Sequence, residues 1–233
     1  MTDTTSTSSV RTHLALALDV DDLVEALRLA RLLQPYFATA KVGLELFSAG
    51  GPEVVGALKD MGYDVFVDLK LHDIPNTVGR AARVLGAIGV DYLTMHAMGG
   101  LKMLRAGVEG MAEGADRAGL PAPKALAITV LTSDDEAPAH IFPKRVALAM
   151  EAGCGGLVCA VADAHDARMF APRLTVVCPG IRPEGVPHHD QARAATPKAA
   201  LAAGADLLVI GRAVTEAVDP VAAAAGLIAS VTG

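Results

Sequence analysis

Leu14-Ala15-Leu16-Ala17-Leu18-Asp19 is the stretch whose reading decides the fold. Successive side chains of a strand point to opposite faces. Ala15, Ala17 and Asp19 therefore share one face, and Leu14, Leu16 and Leu18 share the other. Alanines suit the crowded interior of a closed barrel, and leucines suit contact with an outer layer of helices. Asp19 then stands inside, at the strand's C-terminal mouth, where barrel enzymes build their sites.

The pattern continues outward from this strand. Short apolar runs at 14–18, 38–42, 65–68, 92–96, 125–130, 156–159, 174–178 and 207–210 read as strands. Amphipathic stretches at 22–33, 51–61, 77–88, 101–118, 143–152, 164–170, 197–203 and 220–231 read as helices. Eight strand–helix units predict an α/β fold, a (β/α)8 TIM barrel of eight parallel strands. An open doubly wound sheet is the alternative, but no G-x-G-x-x-G follows the first strand. Residues 13–233 read as one catalytic domain. Residues 1–12, rich in Thr and Ser, read as a disordered tail.

Composition narrows the function classes. Hydrophobic residues make up 52% of the 233, enough for a large core, while aromatics are 3% and Trp is absent. The core must be aliphatic, as in parallel α/β proteins. A net charge of −6 with no Lys/Arg run argues against a nucleic-acid partner. There is no signal-like start and no apolar run of membrane-spanning length, so the expected location is the cytoplasm, with no membrane partner. Cys154, Cys159 and Cys178 contain no C-x-x-C, which speaks for reduced, buried thiols rather than disulfides or zinc.

Polar residues recur at the strand ends: Asp19, Lys41, Asp68, Lys70, His96, Thr132, Arg182 and Arg212. Such a set describes a polar cup on an apolar barrel. Its densest part is Asp68-Leu69-Lys70-Leu71-His72-Asp73-Ile74-Pro75-Asn76-Thr77. Asp68 and Lys70 are two apart on a strand, so both can face inward. With Lys41 from the neighbouring strand and Asp73 just beyond, two carboxylates and two ammonium groups can converge. Opposite charges nearby favour the charged form of each, so a lysine held there can donate a proton. Gly211-Arg212 after the eighth strand fits a phosphate site, with backbone that can approach closely and a fork of donors. The long connection 180–197, with Pro183, Gly185 and Pro187, reads as a lid. His188-His189-Asp190 could suggest a metal site, but consecutive loop histidines are more often solvated. No metal is assigned, and neither His72 nor His96 is given a chemical role.

The run from Asp68 to Thr77 resembles the D-x-K-x-x-D-I-P-N-T signature of orotidine 5'-phosphate decarboxylases. D-x-K-x-x-D alone is shared with a wider superfamily, whereas Ile74-Pro75-Asn76-Thr77 is more specific. Leu16-Ala17-Leu18-Asp19, Lys41-Val42-Gly43, Thr94-Met95-His96-Ala97, Leu131-Thr132-Ser133, Pro179-Gly180-Ile181-Arg182 and Ile210-Gly211-Arg212 match in order. The resemblance runs from residue 14 to the C-terminus.

The resemblance implies cofactor-free decarboxylation of orotidine 5'-phosphate to UMP by a homodimer. In it, Lys70 protonates C6, Asp68 sits beside the substrate carboxylate, and Lys41 orients Asp68 and the ribose hydroxyls. Asp73, Ile74 and Thr77 reach into the partner's site. Asp19 binds the ribose and Thr132 the pyrimidine. Gln191 and Arg212 hold the phosphate, with Arg182 and the Gly211 backbone nearby. The alternatives are a Mg²⁺-dependent phosphosugar decarboxylase or aldol-type synthase of the same superfamily, a Schiff-base aldolase using a neutral Lys70, and a non-catalytic ligand-binding barrel.

Overall fold

Alternation along β1 (Leu14–Leu18) sorts its side chains as the sequence requires. Leu14, Leu16 and Leu18 join the large cluster shared with the helices, whereas Ala15 and Ala17 join a second cluster. That second cluster also holds Phe66, Leu126, Val177, Leu207 and Val209, with Tyr92 and Val158 against it. All its members come from strands, so it is the barrel interior. The Phe66 and Tyr92 rings meet edge to face at 6.0 Å, which fills the space the alanines leave.

The computed structural model describes residues 10–132, 134, 136–183 and 195–232. The remaining strands are β2 (Thr39–Gly43), β3 (Asp64–Leu71), β4 (Tyr92–His96), β5 (Lys124–Ile128), β6 (Gly156–Val158), β7 (Thr175–Cys178) and β8 (Leu207–Ile210). All neighbours pair in parallel, and β8 returns to β1 to close the barrel. This is the (β/α)8 barrel expected from the sequence. Strand boundaries differ by a few residues, and the largest change is β3, which runs on through Lys70 to Leu71.

The helices are α1 (Leu23–Leu33), α2 (Leu44–Gly50), α3 (Glu53–Asp60), α4 (Pro75–Ala87), α5 (Gly100–Arg117), α6 (Ile141–Glu151), α7 (Val161–Phe170), α8 (Pro197–Ala202), α9 (Arg212–Thr215) and α10 (Pro220–Thr232). Asp22 caps α1 by accepting from the Glu25 N–H at 2.7 Å. The β2–β3 connection holds two helices where the sequence pattern suggested one. Gly51, with φ 59°, and Pro52 break it between them. Among the described residues, no helix is long and apolar enough to cross a membrane.

Val10 and Arg11 fall in the stretch read as tail, yet they pack on the barrel. Val10 is 8% exposed, and the Arg11 guanidinium donates to the carbonyls of Gln34 and Phe37.

Helices α4 and α5 meet backbone to backbone. A Cβ on Gly86 would lie 2.1 Å from the Met111 carbonyl oxygen, one on Gly110 would lie 2.1 Å from that of Gly79, and one on Gly114 would lie 1.9 Å from that of Arg83. Alanine in an exposed helix is more favourable than glycine by about 1 kcal/mol. Here the sign reverses, because a methyl group must push two helices apart. Gly86→Ala is expected to lower stability by about 1–3 kcal/mol. A urea unfolding midpoint equal to or above that of the wild type would contradict the close packing.

Candidate active site

The inner face of the barrel changes from apolar to charged as the strands approach their C-terminal ends. On β2, Ala40 and Val42 enter the outer core, which turns Lys41 inward. On β3, Val65 and Val67 pack outward while Phe66 and Asp68 alternate inward. The register sets Ala17 beside Lys41 and Gly43 beside Asp68, so the end of β1, β2 and β3 deliver their charges to one place.

Lys41 is 8% exposed. Its Nζ lies 2.9 Å from Asp19 Oδ1 and 3.8 Å from Asp68 Oδ2. Lys70 Nζ lies 2.8 Å from the same Asp68 oxygen. Asp68 is thus the shared anion between two cations, and Asp19 anchors the outer end of the chain. Each charge offsets the desolvation of its neighbour. A side chain at Gly43 would intrude here, since its Cβ would lie 3.0 Å from Asp19 Oδ1 and 3.2 Å from Lys41 Nζ. Nothing in the strand pattern of Lys41-Val42-Gly43 marks Gly43 for this part.

Lys70 is held in an unusual backbone. Its φ is 50°, and it is the one non-glycine with positive φ among the described residues. Such conformations cost about 1–3 kcal/mol and persist only where neighbours enforce them. Thr94 of β4 is fully buried. Its hydroxyl accepts from the Lys70 N–H at 2.9 Å and donates to Asp68 Oδ1 at 2.9 Å.

A cavity of about 240 Å³ opens over this array. Ala17, Phe66, Ile128, Val158 and Val209 give it an apolar floor. Asp19, Lys41, Asp68 and Lys70 line one wall, and Thr132, Arg182, Gly211 and Arg212 line another. Arg182 is 6% exposed. Its backbone N–H donates to the Ala195 carbonyl at 2.9 Å. Gln191 and His188-His189-Asp190, and most of the stretch read as a lid, lie outside the described residues.

Asp73 is not in this array. Within one protomer, the second carboxylate beside Lys41 is Asp19. Beyond the left-handed Lys70 the chain turns out of the mouth. Asp73 is exposed there and accepts from the Ile74 N–H at 2.6 Å. Ile74 is 65% exposed and Thr77 is exposed on the first turn of α4. Nearby, the rings of His72 and His96 lie 5.6 Å apart. Burial, then His72, Lys70 and Arg145, hold the His96 imidazole below its ordinary value, with Asp68 acting in the opposite sense.

The family model described as "Orotidine 5'-phosphate decarboxylase / HUMPS family" matches residues 12–227. An orotidine 5'-phosphate decarboxylase of Thermobifida fusca is 47% identical over 228 residues, 93% of this chain and 94% of the relative. One of Moorella thermoacetica is 44% identical over 227 residues, 92% of this chain and 90% of the relative. The crystal structure of the Lactobacillus acidophilus decarboxylase superposes with a TM-score of 0.80 at 33% identity, covering 94% of this chain and 99% of that one.

The His96 environment yields a pH dependence. The fold favours neutral imidazole, so the unfolded chain takes up the proton first as pH falls below the ordinary value of 6.5. This contribution to stability is complete above that value and is lost as pH drops through it. Between about pH 7.5 and pH 5.5, His96→Asn is expected to lose less stability than the wild type. Equal losses in paired urea titrations would remove His96 as the cause.

Proposed function

The chain belongs to the orotidine 5'-phosphate decarboxylase / HUMPS family, and from that membership we propose that it converts orotidine 5'-phosphate to UMP and carbon dioxide. The observation that carries the reading is the Asp19–Lys41–Asp68–Lys70 array at the mouth of the barrel. Cleavage of the bond between C6 and the carboxylate leaves an electron pair on C6, where the ring offers little delocalisation. A cation already in position stabilises that charge without reorganising at the moment of reaction.

In this reading, Lys70 lies at C6 and transfers an Nζ proton to it as carbon dioxide departs, and solvent later restores the proton. Asp68 lies beside the reacting carboxylate and keeps Lys70 in line. Lys41 orients Asp68 and the ribose hydroxyls, and Asp19 binds the ribose. Thr132 contacts the pyrimidine. Arg212 and Gln191 take the phosphate, with Arg182 and the Gly211 backbone nearby. Phosphate binding far from C6 contributes energy that the reaction centre draws on.

The metal-dependent alternative is disfavoured by the donor set. The carboxylate oxygens that would hold a cation, Asp19 Oδ1 and Asp68 Oδ2, already face lysine ammonium groups at 2.9 and 2.8 Å. We propose that no metal or cofactor takes part. The Schiff-base alternative needs a lysine amine free to attack a carbonyl, whereas Lys70 Nζ is hydrogen-bonded to Asp68 Oδ2 at 2.8 Å.

The working unit in this proposal is a homodimer in the cytoplasm, with Asp73, Ile74 and Thr77 completing the partner's site. Their exposure, and that of Val84 at 59% on α4, supports a covered face. The free, buried cysteines accord with a reducing compartment.

Two outcomes test this. Orotidine 5'-phosphate absorbance is expected to fall in the presence of EDTA, with kcat about 10²–10⁴-fold lower in Lys70→Ala. A folded protein without turnover, or turnover abolished by EDTA, would refute the cofactor-free reading. Separately, Asp73→Ala and Lys70→Ala proteins, each inactive alone, are expected to regain activity when mixed and allowed to exchange subunits. One site of each hybrid is then intact. Mixtures as inactive as their components would refute sharing across the interface.

A further inference from the structure

The pairing of β3 with β4 is interrupted at the site. Val67 pairs with Leu93, and the next pair is Leu71 with Met95. Asp68, Leu69 and Lys70 therefore stand opposite a single residue, Thr94. At this interruption the Lys70 N–H donates to a side chain, the Thr94 hydroxyl.

One hydroxyl has one proton to give and two lone pairs to offer. The Lys70 N–H can only donate, so the hydroxyl proton of Thr94 is free to point at Asp68 Oδ1, 2.9 Å away. The other Asp68 oxygen accepts from Lys70 Nζ at 2.8 Å. The bonds form a closed ring that runs from the Lys70 backbone to Thr94, to Asp68 and back to the Lys70 side chain. The ring fixes both oxygens of the carboxylate. It also fixes the left-handed backbone from which the ammonium is presented.

We infer that Thr94 is a positioning residue for the reaction: its hydroxyl locks Asp68 and Lys70 in the geometry the proton transfer needs. It need not touch substrate, and it is absent from the cavity lining. Its effect should fall on the chemical step rather than on binding. The kinetic form of this inference rests on the decarboxylase reading above, and its structural form does not.

The test uses Thr94→Val, which keeps the shape and loses the hydroxyl, and Thr94→Ser, which keeps the hydroxyl. In Thr94→Val, kcat is expected to fall about 10²-fold, as misplacement by an ångström does, while KM and UMP affinity stay near wild type. Thr94→Ser is expected to retain most of the rate. Wild-type kcat in folded Thr94→Val would overturn the inference. So would a loss in Thr94→Ser as deep as in Thr94→Val, because packing and not the hydroxyl would then be at work. If Thr94→Val does not fold, Thr94→Cys, with a weak S–H donor, takes its place. An intermediate kcat is then expected, and a wild-type value would be fatal. If the wild type does not turn over orotidine 5'-phosphate, the decarboxylase reading fails and crystal structures decide the positioning role. Lys70 keeping φ near 50° and its Nζ 2.8 Å from Asp68 in Thr94→Val would overturn it.

Discussion

Lys41 carries a charge at 8% exposure, and a charge so far from water is tolerable only with its opposite beside it. That requirement ties three strands together at their C-terminal ends. Asp19 must arrive from β1 and Asp68 from β3, both within a few ångströms of one nitrogen. Because side chains alternate with a period of two, slipping any of the three strands by one residue would turn its charge into the helix layer. The parallel register that closes the barrel is therefore the register that neutralises Lys41. Fold and site impose the same condition.

The rest of the mouth follows from adding a second cation to Asp68. A regular β3 would carry the ladder straight past Thr94. Instead, three residues of β3 face one of β4, and Lys70 takes a left-handed backbone. Strain of this kind marks places where neighbours over-determine the geometry, and here those neighbours are Thr94 and Asp68. The same turn sends the chain outward, which leaves Asp73, Ile74 and Thr77 exposed on the rim rather than in the array.

Much of the fold was legible because it depends on which side of a strand each residue occupies. Ala15 and Ala17 against Leu14, Leu16 and Leu18 is a two-state pattern, and the barrel interior reproduces it. Connections were less legible. The break between α2 and α3 depends on the backbone of Gly51 and Pro52, where the residue pattern reads as the start of a helix. Within the site, the convergence of Lys41, Asp68 and Lys70 could be read from spacing and strand adjacency. The pairing of Lys41 with Asp19 could not, because proximity in sequence favoured Asp73. Thr94 and Gly43 were hidden for another reason. A buried threonine on a strand usually just fills space, and the value of a glycine lies in a side chain it lacks.

The contact between α4 and α5 has a consequence for how such a protein can diverge. Two helices that touch through their main chains depend, at those points, on the absence of side chains. That kind of recognition is indifferent to what the outer surfaces of the same helices carry. Val84 can change, and the surface it belongs to can be redrawn for a new neighbour, without disturbing the alignment of the pair. The row of glycines fixes how the two helices meet, and their outer surfaces take no part in that contact.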